Sequence, residues 1–311
     1  MKINTKKDIL LPAWEIIKDD IKVKKMYLFP GLLGIIFLTV LLVYQSIYTY
    51  VVIFNKKDKA LEVILNFFHS EYILETIIIA IVFLVIYLII TPIFEGALIR
   101  YIYKKDTDNY MSASDALSIG VYRFLPLFKY GNLFSEFKFM SVLNAYLFII
   151  RFFNGEYIKE ISYSFLVVLF FSIIINVLFA YSKYIIVLEN KGVFESVSKS
   201  TKLSILNLII TFKLYLFMFI LNIRVIINFI VFLIFPVIIV ISLGVITSQV
   251  FLTIAISILA IIFLLFVLFL GYLTGVLEVF KGAIWYYAYK ESLRRFNSIE
   301  NEEEKQTDTK I

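Results

Sequence analysis

Long apolar runs alternate with short polar segments along this chain. A membrane-spanning helix needs about 20 apolar residues, and the runs reach or exceed that length. The pattern therefore predicts six spans, arranged as three helical hairpins. Their predicted ranges are 27–54, 72–99, 133–153, 161–188, 203–243 and 250–280. The fold class that follows is all-α, a polytopic transmembrane helical bundle.

The run at residues 203–247 is the hardest to divide. It holds 45 residues and two charges, Lys213 and Arg224, so it is too long for one span and has no clear internal break. Small polar residues recur through its first half at helical spacing, which predicts one continuous helix from Ser200 to Asn222. A crossing that starts at the beginning of the run places Arg224 at the outer surface. A crossing that starts near Lys213 places it near the bilayer midplane.

Three amphipathic segments precede pairs of predicted spans, at residues 8–25, 112–131 and 193–213. Apolar residues at spacings of three and four predict helices that lie on the cytoplasmic membrane surface. Ser112 or Ser114 is expected to cap the second of these helices. For the first segment, an ordinary juxtamembrane connection without a separate role is an equal alternative.

The composition agrees with a membrane protein. Apolar residues make up 61% of the chain and charged residues 17%, against roughly 45–50% and about 25% in soluble domains. The net charge of +6 does not indicate nucleic-acid binding, because the basic residues flank apolar runs. With no cysteine and one histidine, we expect no disulfide, no metal site and no cofactor.

The distribution of lysine and arginine predicts the orientation. In the six-span arrangement, 22 basic residues fall on one side of the membrane and five on the other. Basic loops stay in the cytoplasm, so both termini are predicted to be cytoplasmic, in a multi-pass protein of the cell membrane. Residues 1–26 lack the features of a cleaved signal peptide, so the first span is expected to remain as an anchor. Residues 1–296 are predicted to form a single integral membrane domain, and 297–311 a disordered polar tail.

The sequence contains none of the common motifs for phosphate binding, serine hydrolysis or zinc-dependent proteolysis. We therefore expect that the protein is not an enzyme. Its candidate site is a set of polar residues inside or beside predicted spans. They are Asn144, Asn176, Asn222, Arg224 and Asn228. Polar groups in a membrane either serve function or hold helices together, and the sequence leaves both interpretations open.

Two short segments resemble a known family. The first overlaps the end of the fourth predicted span, and the second follows the last predicted span. The matching residues are Val187, Glu189, Gly192, Ser196, Lys199 and Ser200 in the first, and Tyr286, Tyr287 and Arg294 in the second. Over about residues 5–295, the chain is similar to six-span bacterial and archaeal membrane proteins grouped around the membrane domain of glycerophosphoryl diester phosphodiesterases. The resemblance implies a six-span fold and carries over no catalytic residue, because the catalytic domain of those relatives has no counterpart here.

Two functions compete at this stage. The first is a membrane-organising or accessory subunit, with the lipid bilayer and a membrane protein or a second copy of the chain as partners, and no nucleic acid. The second is a transporter or permease, in which Asn176, Arg224 and Asn228 line a path for an anionic or polar solute. An enzyme acting on membrane lipids is the third and least favoured class.

Overall fold

The computed structural model describes residues 3–53, 62, 65–109, 111–153, 156–223 and 249–308. Every regular element in these ranges is helical, which confirms the all-α prediction. After a π-helical turn at Thr5–Leu10, helices α1 to α3 span Leu11–Lys18, Ile21–Met26 and Leu28–Ile53. Helices α4 to α7 span Ile73–Asp106, Ala113–Tyr122, Phe124–Phe134 and Phe139–Phe152. Helices α8 to α12 span Ile158–Leu178, Ser182–Leu188, Val193–Leu206, Leu208–Ile223 and Gln249–Asp308.

Three stretches of the described chain are long and apolar enough to cross a membrane. They are Ile73–Asp106, Ile158–Leu188 and Leu264–Glu302. The bent pair α10 and α11 makes a fourth candidate if the two helices count as one span. The described residues therefore contain three or four candidate membrane-spanning helices, which indicate a membrane protein.

Two predicted segments have a more detailed structure than the sequence indicated. Within the predicted span 133–153, a 3-10 turn at Ser135–Phe137 separates α6 from the 14-residue helix α7. At the other end of the chain, α12 continues to Asp308. Most of the segment predicted as a polar tail is therefore helical here.

The prediction of one continuous helix from Ser200 to Asn222 is wrong, because the chain turns by 102° between α10 and α11. Asn207 occupies the turn, with φ −121° and ψ 31°. Its backbone N–H donates to the carbonyls of Leu203 and Ser204, and its side-chain Nδ2 donates to Leu203 at 3.2 Å. An asparagine side chain that bonds the nearby backbone competes with the helical ladder, and here it ends the helix.

The chain forms two compact units. The first contains Met1–Val23, Pro92–Ile226 and Val279–Ile311, and the second contains Lys24–Thr91 and Ile227–Glu278. In the second unit, Gly31 on α3 faces Gly271 and Gly275 on α12. A Cβ on Gly275 would lie 2.6 Å from the carbonyl oxygen of Tyr27. The two backbones therefore approach as closely as small residues allow, as in other membrane helix pairs.

In the first unit, α5 begins where the sequence predicted. Ser112 Oγ accepts the N–H of Asp115 at 3.1 Å, and Asp115 Oδ2 accepts the N–H of Ser112. This reciprocal capping box confirms Ser112 as the cap. Farther along α5, Gly120 packs against α4, where a Cβ on it would meet the carbonyl of Ile93 and lie 3.1 Å from the N of Ala97.

The close approach of α4 and α5 gives a first prediction. Gly120→Ala should lower stability by about 1–3 kcal/mol, because the added methyl forces two backbones apart. Gly131→Ala is the matched control, since Gly131 is also helical and a Cβ on it would meet no atom of the described residues within 4 Å. Thermal unfolding in detergent, followed by tryptophan fluorescence, measures both. Equal unfolding midpoints for the two variants would contradict the close contact.

Candidate functional site

Within the described part of the chain, buried polar groups are concentrated around the break between α8 and α9. α8 ends at Leu178 and α9 begins at Ser182, which interrupts the backbone ladder. Ser200 Oγ donates to the carbonyl of Leu178 at 2.9 Å and accepts the N–H of Tyr181 at 3.0 Å. Ser204 Oγ donates to the same carbonyl at 3.1 Å. Both serines are fully buried, so α10 supplies the hydrogen bonds that the break would otherwise lack.

Tyr181 connects this break to two further helices. Its side chain is fully buried, and its hydroxyl lies 2.8 Å from Thr211 Oγ1 on α11. Ser292 Oγ on α12 donates to the same hydroxyl at 3.2 Å. The ring of Tyr181 also contacts Trp285, with centroids 6.1 Å apart. One tyrosine therefore joins the break, α11 and α12 in the interior of the first unit.

The bend at Asn207 is held from the same helix, α12. Arg295 Nη1 donates to Asn207 Oδ1 at 3.1 Å. The opposite end of that amide donates to Leu203, and Thr211 Oγ1 donates to the Asn207 carbonyl at 3.1 Å. The direction of α11 is thus fixed by contacts that need both α10 and α12.

Three carboxylates share a second arrangement. Each accepts hydrogen bonds from a lysine ammonium and from at least one tyrosine hydroxyl. They are Asp20, Asp106 and Glu189. At Asp106, the last residue of α4, the donors are Tyr286 at 2.7 Å, Tyr287 at 2.8 Å and Lys290 at 2.6 Å. Charge-assisted bonds of this kind are stronger than neutral ones, so they attach α12 to the end of α4.

Glu189 repeats the arrangement at the end of α9. It accepts from Tyr289 at 2.6 Å and from Lys199 at 2.7 Å. A simpler pair joins α4 to α9, where Lys183 donates to Glu95 at 2.5 Å. Exposed pairs contribute little to stability, but both members of these two ion pairs are largely shielded from solvent. The acidic residues are thus engaged in holding helices together.

Asp20 attaches the N-terminal helices. Its Oδ1 accepts the N–H of Val23, and its Oδ2 accepts from Tyr101 at 2.9 Å and from Lys105 at 2.6 Å. Burial raises the pKa of the carboxyl, but the hydrogen bonds from Lys105, Val23 and Tyr101 outweigh it and hold the pKa below its ordinary value. Asp20 is therefore charged at neutral pH, and α2 begins against α4.

Among the predicted site residues, Asn176 has a structural partner. Its Nδ2 donates to the carbonyl of Phe137 at 2.5 Å and to that of Ser172 at 2.8 Å, which uses both amide hydrogens. Ser172 Oγ also donates to the Phe137 carbonyl. Two side chains of α8 thus satisfy the turn that precedes α7.

The other predicted residues are more dispersed. Asn144 lies on α7, partly buried. Asn222 is exposed near the end of α11 and accepts from Lys281 Nζ at 2.8 Å. Arg224 and Asn228 lie outside the described residues. A meeting of all five side chains in one interior therefore remains a prediction.

The tyrosine–carboxylate bonds are what sequence reasoning missed. From the sequence, Tyr286 and Tyr287 entered only through the family resemblance, and no bonding partner was predicted for them or for Tyr289. The available signal was that carboxylates stand at the ends of apolar helices, as Asp106 and Glu189 do. Within the described ranges, no group of three or more potential metal ligands of the His, Cys, Asp or Glu type lies together.

The break between α8 and α9 gives a second prediction. Ser200→Ala should cost about 1–3 kcal/mol, because it leaves a buried N–H unsatisfied and removes a bond to the Leu178 carbonyl. Ser118→Ala serves as the control, since Ser118 is exposed and bonds within its own helix. Tryptophan fluorescence follows thermal unfolding in detergent, with Trp285 close to the break. If both variants unfold at the wild-type temperature, Ser200 does not have this role.

The charge on Asp20 gives a prediction about pH. Folding lowers the pKa of the Asp20 carboxyl from its ordinary value of 3.8. The charged carboxylate therefore stabilises the folded protein fully at pH values above 3.8. This stabilisation is lost as the pH falls through the lower pKa of the folded protein. Asp20→Asn should remove this acid-dependent part of stability. Asp19→Asn, at a neighbouring side chain that is 86% exposed, should keep it. Unfolding midpoints between pH 7 and pH 2 measure the effect. An unchanged pH profile in Asp20→Asn would contradict the assignment.

Comparison with known proteins does not identify a relative. No family model, curated protein or solved structure matches this chain. The similarity to the membrane domain of glycerophosphoryl diester phosphodiesterases therefore stays a prediction. No functional residue is transferred from another protein, and the function has to be inferred from the contacts described above.

Proposed function

We propose that the chain is a six-span integral membrane protein with a non-catalytic role, a membrane-organising or accessory subunit. One observation carries the proposal. Three carboxylates of the first unit, Asp20, Asp106 and Glu189, each bind a lysine and a tyrosine of another helix. Catalytic acids and bases need access to a substrate, whereas these groups are occupied in fastening helices.

The proposed six spans are the three candidates that are single stretches, helix α3, residues 133–153, and α11 with the apolar run that follows it. Helix α3 has 26 residues, a length of about 39 Å, which is sufficient to cross the hydrocarbon core. Helix α11 is too short to cross alone, and the apolar run after Ile223 supplies the remaining length of its crossing. Six crossings return the chain to its starting side, and the excess of basic residues makes that side the cytoplasm. The proposal includes the similarity to the six-span membrane domain of glycerophosphoryl diester phosphodiesterases.

The N-terminal helices support an interaction with the membrane surface. Leu11, Trp14 and Ile21 are 44%, 53% and 62% exposed. Ala13 and Ile17, between them in sequence, are buried. Lysines are interspersed in the same segment, the combination found in helices that lie at a membrane interface. The bilayer is thus the first proposed partner, and a membrane protein or a second copy of the chain is the second.

The transport alternative has weaker support. A residue that lines a solute path must offer free donors or acceptors, and both amide hydrogens of Asn176 are bound to backbone carbonyls. Asn222 accepts from Lys281. These contacts favour the interpretation of the asparagines as groups that hold helices together.

The test uses the full chain in liposomes. Because the sequence has no cysteine, Glu71→Cys and Thr107→Cys each create a unique labelling site. Six spans with cytoplasmic termini predict that an impermeant maleimide labels the two positions from opposite sides of the membrane. Labelling of both from one side would contradict the topology.

The same vesicles test the role. We expect hydrolysis of lipid esters and efflux of anions to match those of protein-free liposomes. Hydrolysis that Arg224→Ala abolishes would overturn the non-catalytic proposal. Anion efflux that the same variant abolishes would establish the transport alternative instead. Arg123→Ala is the matched control, because it removes a basic residue from a cytoplasmic segment of the proposed topology.

A further inference from the structure

An open apolar groove lies on the surface of the first unit, with a volume of about 680 Å³. Helix α8 forms one wall, and the end of α10 with α11 forms the other. The lining includes Phe170, Ile174, Ile205, Ile209, Phe212 and Leu216. Phe170, Ile205 and Ile209 are each more than 60% exposed, so the groove is open to its surroundings.

A lysine is the exception among the lining residues. Lys213 contributes to the wall of the groove, while its ten companions are all apolar. Its side chain is exposed. Within the described residues, no carboxylate forms an ion pair with Lys213. A cation at an apolar groove is complementary to an amphiphile that carries a negative charge.

The bend at Asn207 determines how deep Lys213 lies in the proposed membrane orientation. Lys213 lies six residues beyond the bend, about 9 Å along α11. Helix α10, on the other side of the bend, carries Lys199 and Lys202 and belongs to the proposed cytoplasmic surface. A lysine at this depth extends its ammonium to the interface, where lipid phosphates lie. The apolar part of the groove then faces the acyl region.

We propose that the groove binds an anionic phospholipid of the bilayer, with an acyl chain along α8 and α11 and the phosphate at Lys213. The inference rests on the proposed membrane orientation of α11. It adds a specific ligand to that orientation, since an apolar wall alone accepts any acyl chain, whereas the lysine selects a headgroup of net negative charge.

The experiment titrates the purified full chain in detergent with phosphatidylglycerol or phosphatidylcholine and counts bound lipids by native mass spectrometry. We expect tighter binding of phosphatidylglycerol. Lys213→Gln should weaken it about fivefold and leave phosphatidylcholine unchanged. Lys213→Arg should retain the preference. Lys202→Gln removes the same charge from an exposed position outside the groove and should also retain it.

A second variant tests the apolar part. Ile209→Trp fills the groove and should weaken the binding of both lipids, while Ile220→Trp, exposed on the same helix and outside the groove, should not. Equal affinity for the two lipids, or an equal loss in Lys202→Gln, would overturn the proposal. Disulfide-linked dimers of Ile209→Cys would assign the groove to a second copy of the chain and also overturn it. Lipid preference with catalytic or transport activity in liposomes would refute the proposed function alone.

Discussion

The structure depends on one constraint: a backbone polar group that is buried away from water cannot remain unpaired. Side chains meet this constraint at two of the helix breaks in the first unit, after Leu178 and at Asn207. At the first break, Ser200 and Ser204 supply the missing hydrogen bonds. At the second, the side chain of Asn207 does so, supported by Arg295. The small polar residues are therefore consequences of the breaks, and their positions on α10 follow from where α8 ends.

At the helix ends, carboxylates are paired with both lysine and tyrosine side chains. A lysine alone would give each carboxylate a weak pair near water. The tyrosines change this, because each brings an apolar ring that packs and a hydroxyl that donates to the carboxylate. At Asp106, two tyrosines and Lys290 lie within one turn of α12, so a single helical face binds the end of α4. The charged and polar side chains here hold helices together, which is the physical reason for proposing a non-catalytic role.

The sequence predicted what local patterns determine and missed what tertiary contacts determine. Apolar run lengths were sufficient for the all-α membrane class, and the local sequence offered Ser112 and Ser114 as caps, of which the structure uses Ser112. The stripe beginning at Ser200 was correctly recognised as one face of a helix, but its continuation past Asn207 was wrong. Periodicity cannot reveal a bend whose stabilising partner, Arg295, is 88 residues away. The bond between Tyr286 and Asp106, 180 residues apart, is hidden for the same reason.

The bend also changes the question posed by residues 203–247. The sequence offered two starting points for the crossing, and α11 begins between them, at Leu208. Helix α11 is 16 residues long, about 24 Å, so on its own it falls short of the roughly 30 Å hydrocarbon core. In the proposed membrane orientation of α11, Lys213 lies near the end from which the crossing starts, within reach of lipid headgroups, and is not a buried charge. A charge at that level can select among lipids without any cost of burial in the bilayer centre, which is why the apolar groove beside it favours a lipid ligand over a solute path.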